Sequence, residues 1–173
     1  KKLIDRLAYA HDASMYRLVP EAVARPENES DVKDLLEYAH SSGTSVTFRT
    51  AGTSLSGQTV TKGIIAEVVR GWKRHEILDN GEAIQLQPGV IGGRSNLYLQ
   101  PYNRRIGPDP ASIDSAMIGG IISNNSSGMV CGVKHNSYHT LRHIRFILAN
   151  GNCYDTSNTD DYEKFLNIEK DLC

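Results

Sequence analysis

The sequence predicts an α+β protein, and three observations carry that reading. A capped amphipathic helix lies between two extended runs, at 19–26 and 45–49, and a third such run follows at 64–69. Two Asn-Gly pairs, Asn80-Gly81 and Asn150-Gly151, each separate stretches of strand-forming residues and read as hairpins. The 173 residues suffice for one ordinary domain or two small lobes sharing a core.

Taken in order, Leu3, Ile4, Leu7 and Ala8 have helical spacing, so residues 1–9 form a short helix. Residues 12–16 read as a loop. Pro20 and Pro26 bias their predecessors away from helix, which makes 19–26 extended. Ser30 is a suitable N-cap, with Asp31 and Asp34 in the first turn; Val32, Leu35, Leu36 and Ala39 share one face, and Gly43 ends the helix. With the strands at 45–49 and 64–69 this makes a β–α–β unit. Residues 72–78 and 83–87 form the first hairpin, with Trp72 in the core and His75 on the surface. Pro88-Gly89 breaks the strand, and 91–99 is helical despite Gly92 and Gly93. Residues 141–149 read as a strand alternating basic and apolar residues, turning at Asn150-Gly151 into 152–155. Asn158 to Asp161 cap a last helix carrying Tyr162, Phe165, Leu166 and Ile168. His139 and His143 lie four apart in a strand-like pattern, where they cannot form the helical i, i+4 metal pair, and no metal site is expected.

Between the strands at 45–49 and 64–69 lies Thr50-Ala51-Gly52-Thr53-Ser54-Leu55-Ser56-Gly57-Gln58. Small residues let a ligand approach the backbone, successive N–H groups can form an anion nest, and no acidic side chain opposes one. A phosphate cradle fits; so does a polar connection. Gly52 and Gly57 have the first spacing of a Walker A motif, but Gln58 stands where its Lys belongs, and the G-x-G-x-x-G fingerprint is absent. A second stretch runs through Ile118-Gly119-Gly120 to Asn124-Asn125-Ser126-Ser127-Gly128. Its Gly-Gly pair weakens a helix by roughly 1 kcal/mol per residue, which makes sense where a flat ligand or another backbone comes close. A helix ending in a polar turn is the alternative.

A net charge of −1 with interspersed signs speaks against nucleic-acid binding. Cys131, Cys153 and Cys173 are odd in number and lack CxxC spacing, which suggests neither a disulfide framework nor zinc and fits a reducing, cytoplasmic setting. No apolar run approaches a membrane span of about 18 residues. Lys1-Lys2 runs straight into a helix and Cys173 closes one uncapped, so an excised domain is expected.

Arg49 to Gln58, Gln87-Pro88-Gly89-Val90, Gly107-Pro108-Asp109-Pro110 and Ile118 to Gly128 stand in the order seen in FAD-linked oxidases. In this the chain resembles the p-cresol methylhydroxylase/vanillyl-alcohol oxidase type, in its branch of D-lactate dehydrogenases and the D-type subunits of glycolate oxidase, from about residue 19 to 154. The resemblance implies a two-lobed FAD-binding domain: a small β–α–β lobe at about 19–70 and a larger, mainly antiparallel sheet with helices at about 71–173, the flavin between them. It places the pyrophosphate on Ala51, Gly52, Thr53, Ser54, Leu55, Ser56 and Gly57. Pro88 and Gly89 would line the cofactor's path. Asp109, Ser115, Gly119, Gly120, Asn124, Ser127 and Gly128 would contact its ribityl, adenosine or flavin portions, with Ile144 near the adenine. Covalent members often carry His in the first loop; Thr53 stands there, so FAD is expected to be non-covalent. Relatives have Tyr-Gly where this chain has Lys134-His135, so no residue is carried over between 128 and 137.

The resemblance further implies oxidation of a D-2-hydroxy acid such as D-lactate, with hydride transfer to the flavin. The substrate would be held by a cap domain that this chain lacks, an iron–sulfur domain or subunit would be the partner, and any membrane association would run through partners. No catalytic residue is assigned; His135 and His139 are candidates by chemistry alone. An FAD enzyme of another reaction type, such as an ether-lipid synthase, and a non-catalytic nucleotide-binding module are the competing readings.

Overall fold

The computed structural model describes residues 2–172. Helix α1 (Leu3–Ala8) opens the chain and an irregular stretch leads to strand β1 (Ala22–Ala24). In α2 (Glu29–Ser42) the cap is Asn28, whose side chain accepts the Asp31 N–H; Gly43 closes the helix in the left-handed region. Ser30, the expected cap, already lies in the first turn. Asn28 is the residue whose oxygen reaches the orphan amide three positions on.

Strands β2 (Val46–Arg49) and β3 (Ile64–Glu67) complete a parallel sheet in the order β1-β3-β2. Ala22 and Val46 both pair with Ile64. The central strand is apolar without alternation because Ile64, Ile65 and Ala66 are buried whichever way they point. It ends at Glu67, two residues before the expected end.

The second half is antiparallel in its pairings. Strands β4 (His75–Leu78) and β5 (Ala83–Leu86) form one hairpin, whose turn carries Asp79, Asn80 and Gly81 at positive φ. Helices α3 (Gly92–Leu99), α4 (Ile118–Ser123) and the short α5 (Ser137–Thr140) follow. Strands β6 (Arg145–Ile147) and β7 (Cys153–Asp155) make a second hairpin against α6 (Thr159–Leu172). The two hairpins are separate two-stranded units rather than one larger sheet, because the stretch between them forms helices and turns. Strand β6 is shorter than 141–149: upstream of it, Ile144 bonds across the hairpin to Thr156, in part through the threonine hydroxyl instead of a ladder carbonyl. His139 lies in α5, not in a strand, and its Nδ1 sits 2.9 Å from the Asn136 side-chain oxygen.

Two apolar clusters hold these pieces. Val32, Val68 and Trp72 pack together with Leu36 and Ile147 at their edge. The Trp72 indole N–H donates to the Pro26 carbonyl at 2.7 Å, which satisfies its polar end. Val90, Ala116, Ile118 and Ile121 form the other cluster. Phe165 of α6 meets Phe146 edge-on and lies against Tyr154. Among the described residues no helix is long and apolar enough to cross a membrane.

Candidate functional site

The glycine loop leaves the C-terminal end of β2, the end of a parallel sheet at which ligands gather. Gly52 and Gly57 sit at φ +70° and +73°, a backbone that side-chain-bearing residues rarely adopt. Within the loop the Ser54 hydroxyl accepts the N–H groups of Ser56 and Gln58, both at 3.2 Å. The N–H groups of Gly52, Thr53, Ser54 and Leu55 donate to no described residue. Four consecutive free amides with no carboxylate among them suit an anion such as a pyrophosphate.

Expected site residues from distant parts of the chain converge on this loop. The Gly119 N–H donates to the Pro88 carbonyl at 2.9 Å. A Cβ on Gly119 would lie 2.8 Å from Pro88 Cβ and 3.2 Å from Thr50 Cγ2, and one on Gly120 would lie 3.3 Å from Thr50 Oγ1. Gln58 Nε2 reaches the Asn124 side-chain oxygen at 3.4 Å. Gly89 packs under the carbonyls of Val69 and Trp72. The Asp109 N–H donates to the Ser127 carbonyl at 3.1 Å, and a Cβ on Gly128 would run into the Asp109 carbonyl. Asp109, Ser127 and Gly128 therefore form a joint of their own, tied to α4 through the Ser137 hydroxyl, which donates to the carbonyls of Ile121 and Ser126. No hydrogen bond among the described residues joins Ser115 or Ile144 to the loop. Ser115 is exposed, its N–H on the Ser112 carbonyl, and Ile144 is half-buried against Thr156.

Residues 9–18, of which 12–16 read as loop in the sequence, lie as a wall against these residues. The Ala13 N–H donates to the Gly52 carbonyl at 3.1 Å. Asp12 is buried, and its carboxylate accepts from Ser14 N–H at 2.9 Å, Thr59 Oγ1 at 3.1 Å and Thr59 N–H at 3.4 Å. Burial alone would push this carboxyl up, but the Ser14 and Thr59 hydrogen bonds prevail and hold it below its ordinary value. Arg49 Nη1 donates to the carbonyls of His11 at 2.8 Å and Tyr9 at 3.3 Å, with its guanidinium 5.3 Å from the Tyr9 ring centre. The Tyr9 hydroxyl donates to Glu67, which also pairs with Arg25 at 2.9 Å. Burial and that bond to Glu67 raise the Tyr9 phenol. No periodicity marks residues 9–18; the only sequence signal was Asp12 ahead of Ser14, an Asx-turn pairing.

The FAD binding domain family matches residues 20–157. D-2-hydroxyglutarate dehydrogenase of Pantoea ananatis is 30% identical over 156 residues, covering 88% of this chain and 15% of that protein. Glycolate oxidase subunit GlcD of Escherichia coli is 30% identical over 140 residues, covering 80% of this chain and 28% of that protein. The chain thus spans less than a third of the length of either. Among solved structures, 6-hydroxy-D-nicotine oxidase of Arthrobacter nicotinovorans superposes with a TM-score of 0.74 at 18% identity, over 90% of this chain and 34% of that one. The wild-type BBE-like 1 protein of Physcomitrella patens gives 0.76 at 15%, over 88% and 34%. At these identities the structures speak for the fold, which is the one the sequence motifs implied. With four-fifths of its length matched, the chain belongs to the FAD binding domain family.

Proposed function

We propose that this chain is the FAD-holding part of a flavin-dependent dehydrogenase of D-2-hydroxy acids, a class that includes D-lactate. The observation that carries the reading is the run of free amides from Gly52 to Leu55, set beside Gly119 and Gly120. In this reading those amides bind the pyrophosphate without a cation. Pro88 and the Gly119-Gly120 pair give the cofactor a wall without bulky side chains, and Asn124 and Gln58 close its polar side. Asp109, Ser115, Ser127, Gly128 and Ile144 belong to the same proposal as contacts of the remaining portions. The flavin, when bound, supplies the acceptor for a hydride; the chain's own work is to bind and orient it.

The division into lobes at about 19–70 and 71–173 is part of this reading, as is a cap domain elsewhere that holds the substrate. The names of the relatives, D-2-hydroxyglutarate dehydrogenase and glycolate oxidase subunit, favour a short hydroxy acid as substrate and, for the second, a multi-subunit setting. Thr53, where covalent relatives carry His, makes the attachment non-covalent. Reconstitution with FAD tests both points: the chain is expected to bind one equivalent and to release it into the filtrate after acid denaturation. A chain that stays colourless after reconstitution would remove the reading, and flavin that precipitates with the protein would remove the non-covalent attachment.

A further inference from the structure

Residues 9–18 lie outside the stretch matched by the FAD binding domain family, yet they touch the glycine loop at both ends. At the loop's start, the Ala13 N–H holds the Gly52 carbonyl and Arg49 holds the carbonyls of Tyr9 and His11. At its finish, the Asp12 carboxylate takes both the N–H and the hydroxyl of Thr59. In between, the Tyr16 ring fills the space beside Gly57: a Cβ there would lie 2.7 Å from the ring. Tyr16, Arg17 and Leu18 line a hollow of about 240 Å³ together with Ser56, Gly57 and Val60.

We propose that residues 9–18 form the outer wall of the FAD site and that Asp12 is its positioning residue, holding the loop in the conformation that leaves the amides of Gly52 to Leu55 free for phosphate. The proposal rests on the reading that this loop binds the FAD pyrophosphate. Its physical basis is that a loop with four unpaired amides has little of its own to fix it. Flexible, it would have to be ordered at the moment of binding, and that cost is removed when a wall orders it beforehand. Asp12, a residue only 7% exposed, suits this task, because its carboxylate ties two chain segments through three donors. An aliphatic side chain could fill the same space but could not take the Thr59 amide and hydroxyl together.

The test uses the whole chain with Asp12→Ala, Asp12→Asn and Thr59→Val. FAD affinity is measured by quenching of flavin fluorescence, well below each variant's own melting temperature. Hydrogen exchange of the FAD-free chain is followed alongside. Loss of the Thr59 bonds is expected to weaken FAD by about tenfold in Asp12→Ala, with Asp12→Asn in between because one acceptor oxygen remains. Exchange is expected to quicken at the bonded amides of Ser56, Gln58 and Val60 and to stay unchanged in β3. A role in stability alone would lower the melting temperature and leave the affinity of the folded variant as it was, and that result overturns the proposal. Should Asp12→Ala not fold, Thr59→Val decides: it removes only the hydroxyl bond, so about a threefold weakening supports the wall and an unchanged affinity overturns it. Unmodified chain that folds without binding FAD sinks the functional reading and this proposal with it. Unmodified chain that binds FAD, with affinity unchanged by Asp12→Ala, sinks this proposal alone.

Discussion

The residues that crowd the glycines are the protein's own. The sequence suggests that Gly52 and Gly57 leave space for phosphate oxygens, but a Cβ on Gly52 would first meet the Arg49 guanidinium, and one on Gly57 the Tyr16 ring. The glycine requirement was legible in the sequence and its reason was not, because Arg49 and Tyr16 arrive through folding. Gly120 differs. Its added Cβ would meet only the Thr50 hydroxyl, at 3.3 Å, which has to yield by a few tenths of an ångström. Within α4, Ala is favoured over Gly by up to about 1 kcal/mol. Gly120→Ala is therefore expected to melt no lower than the unmodified chain, while FAD affinity falls because the methyl group stands on the exposed side next to Thr50. Calorimetry and a fluorescence titration on one preparation check both halves. Unchanged FAD affinity would take Gly120 out of the site. Gly128→Ala is expected to do the opposite: its Cβ would run into the Asp109 backbone carbonyl, so stability drops by about 1–3 kcal/mol through overpacking, read as a lower urea midpoint.

At the scale of elements, the β–α–β unit was legible because its signals are local: apolar spacing in α2, the closing Gly43, and the unbroken apolar run of β3. Short elements were not. The four residues of α5 hold no periodicity to read, and its Asn136 cap emerges only once the side chain accepts the His139 N–H. Contacts far apart in sequence were invisible for the same reason. Glu29, in the first turn of α2, receives Arg145 Nε and Nη2 from β6, each at 2.7 Å. That bond holds the Glu29 carboxyl below its ordinary value of 4.5 and raises the Arg145 guanidinium. Because the folded value lies below the unfolded one, the contribution is fully present above pH 4.5 and is lost as pH falls through the lower, folded value. Both side chains are more than a third exposed, so screening limits the pair to about 0.5–1 kcal/mol. Glu29→Gln is expected to lower stability by that amount at neutral pH and by progressively less in acid. A deficit that stays constant with pH would assign the effect to packing instead.

For the whole molecule, the order of the motifs along the chain carried the family, and folding brings Thr50, Pro88 and Gly119 together, with Asn124 on Gln58 of the same loop. The wall at 9–18 had no such signature. Its presence changes what this chain can do with a substrate. Hydride transfer needs the substrate carbon within about 3–3.5 Å of its acceptor in an aligned pose. A 2-hydroxy acid offers a carboxylate and a hydroxyl for that positioning, which calls for a cation or metal beside the flavin. Arg49 is the cation nearest the loop in sequence, and its guanidinium is committed to the carbonyls of Tyr9 and His11. Among the described residues no group of three His, Cys, Asp or Glu stands close enough to hold a metal ion. His139 is turned to its own cap, Asn136. The chain loaded with FAD is therefore expected to leave D-lactate unoxidised, although it binds the cofactor. Anaerobic mixing with millimolar D-lactate, with the oxidised flavin band followed by absorbance, should show no bleaching. Stoichiometric bleaching would mean that residues within this chain already hold the acid and take its proton, and Arg49 would then have to leave the carbonyls it binds here.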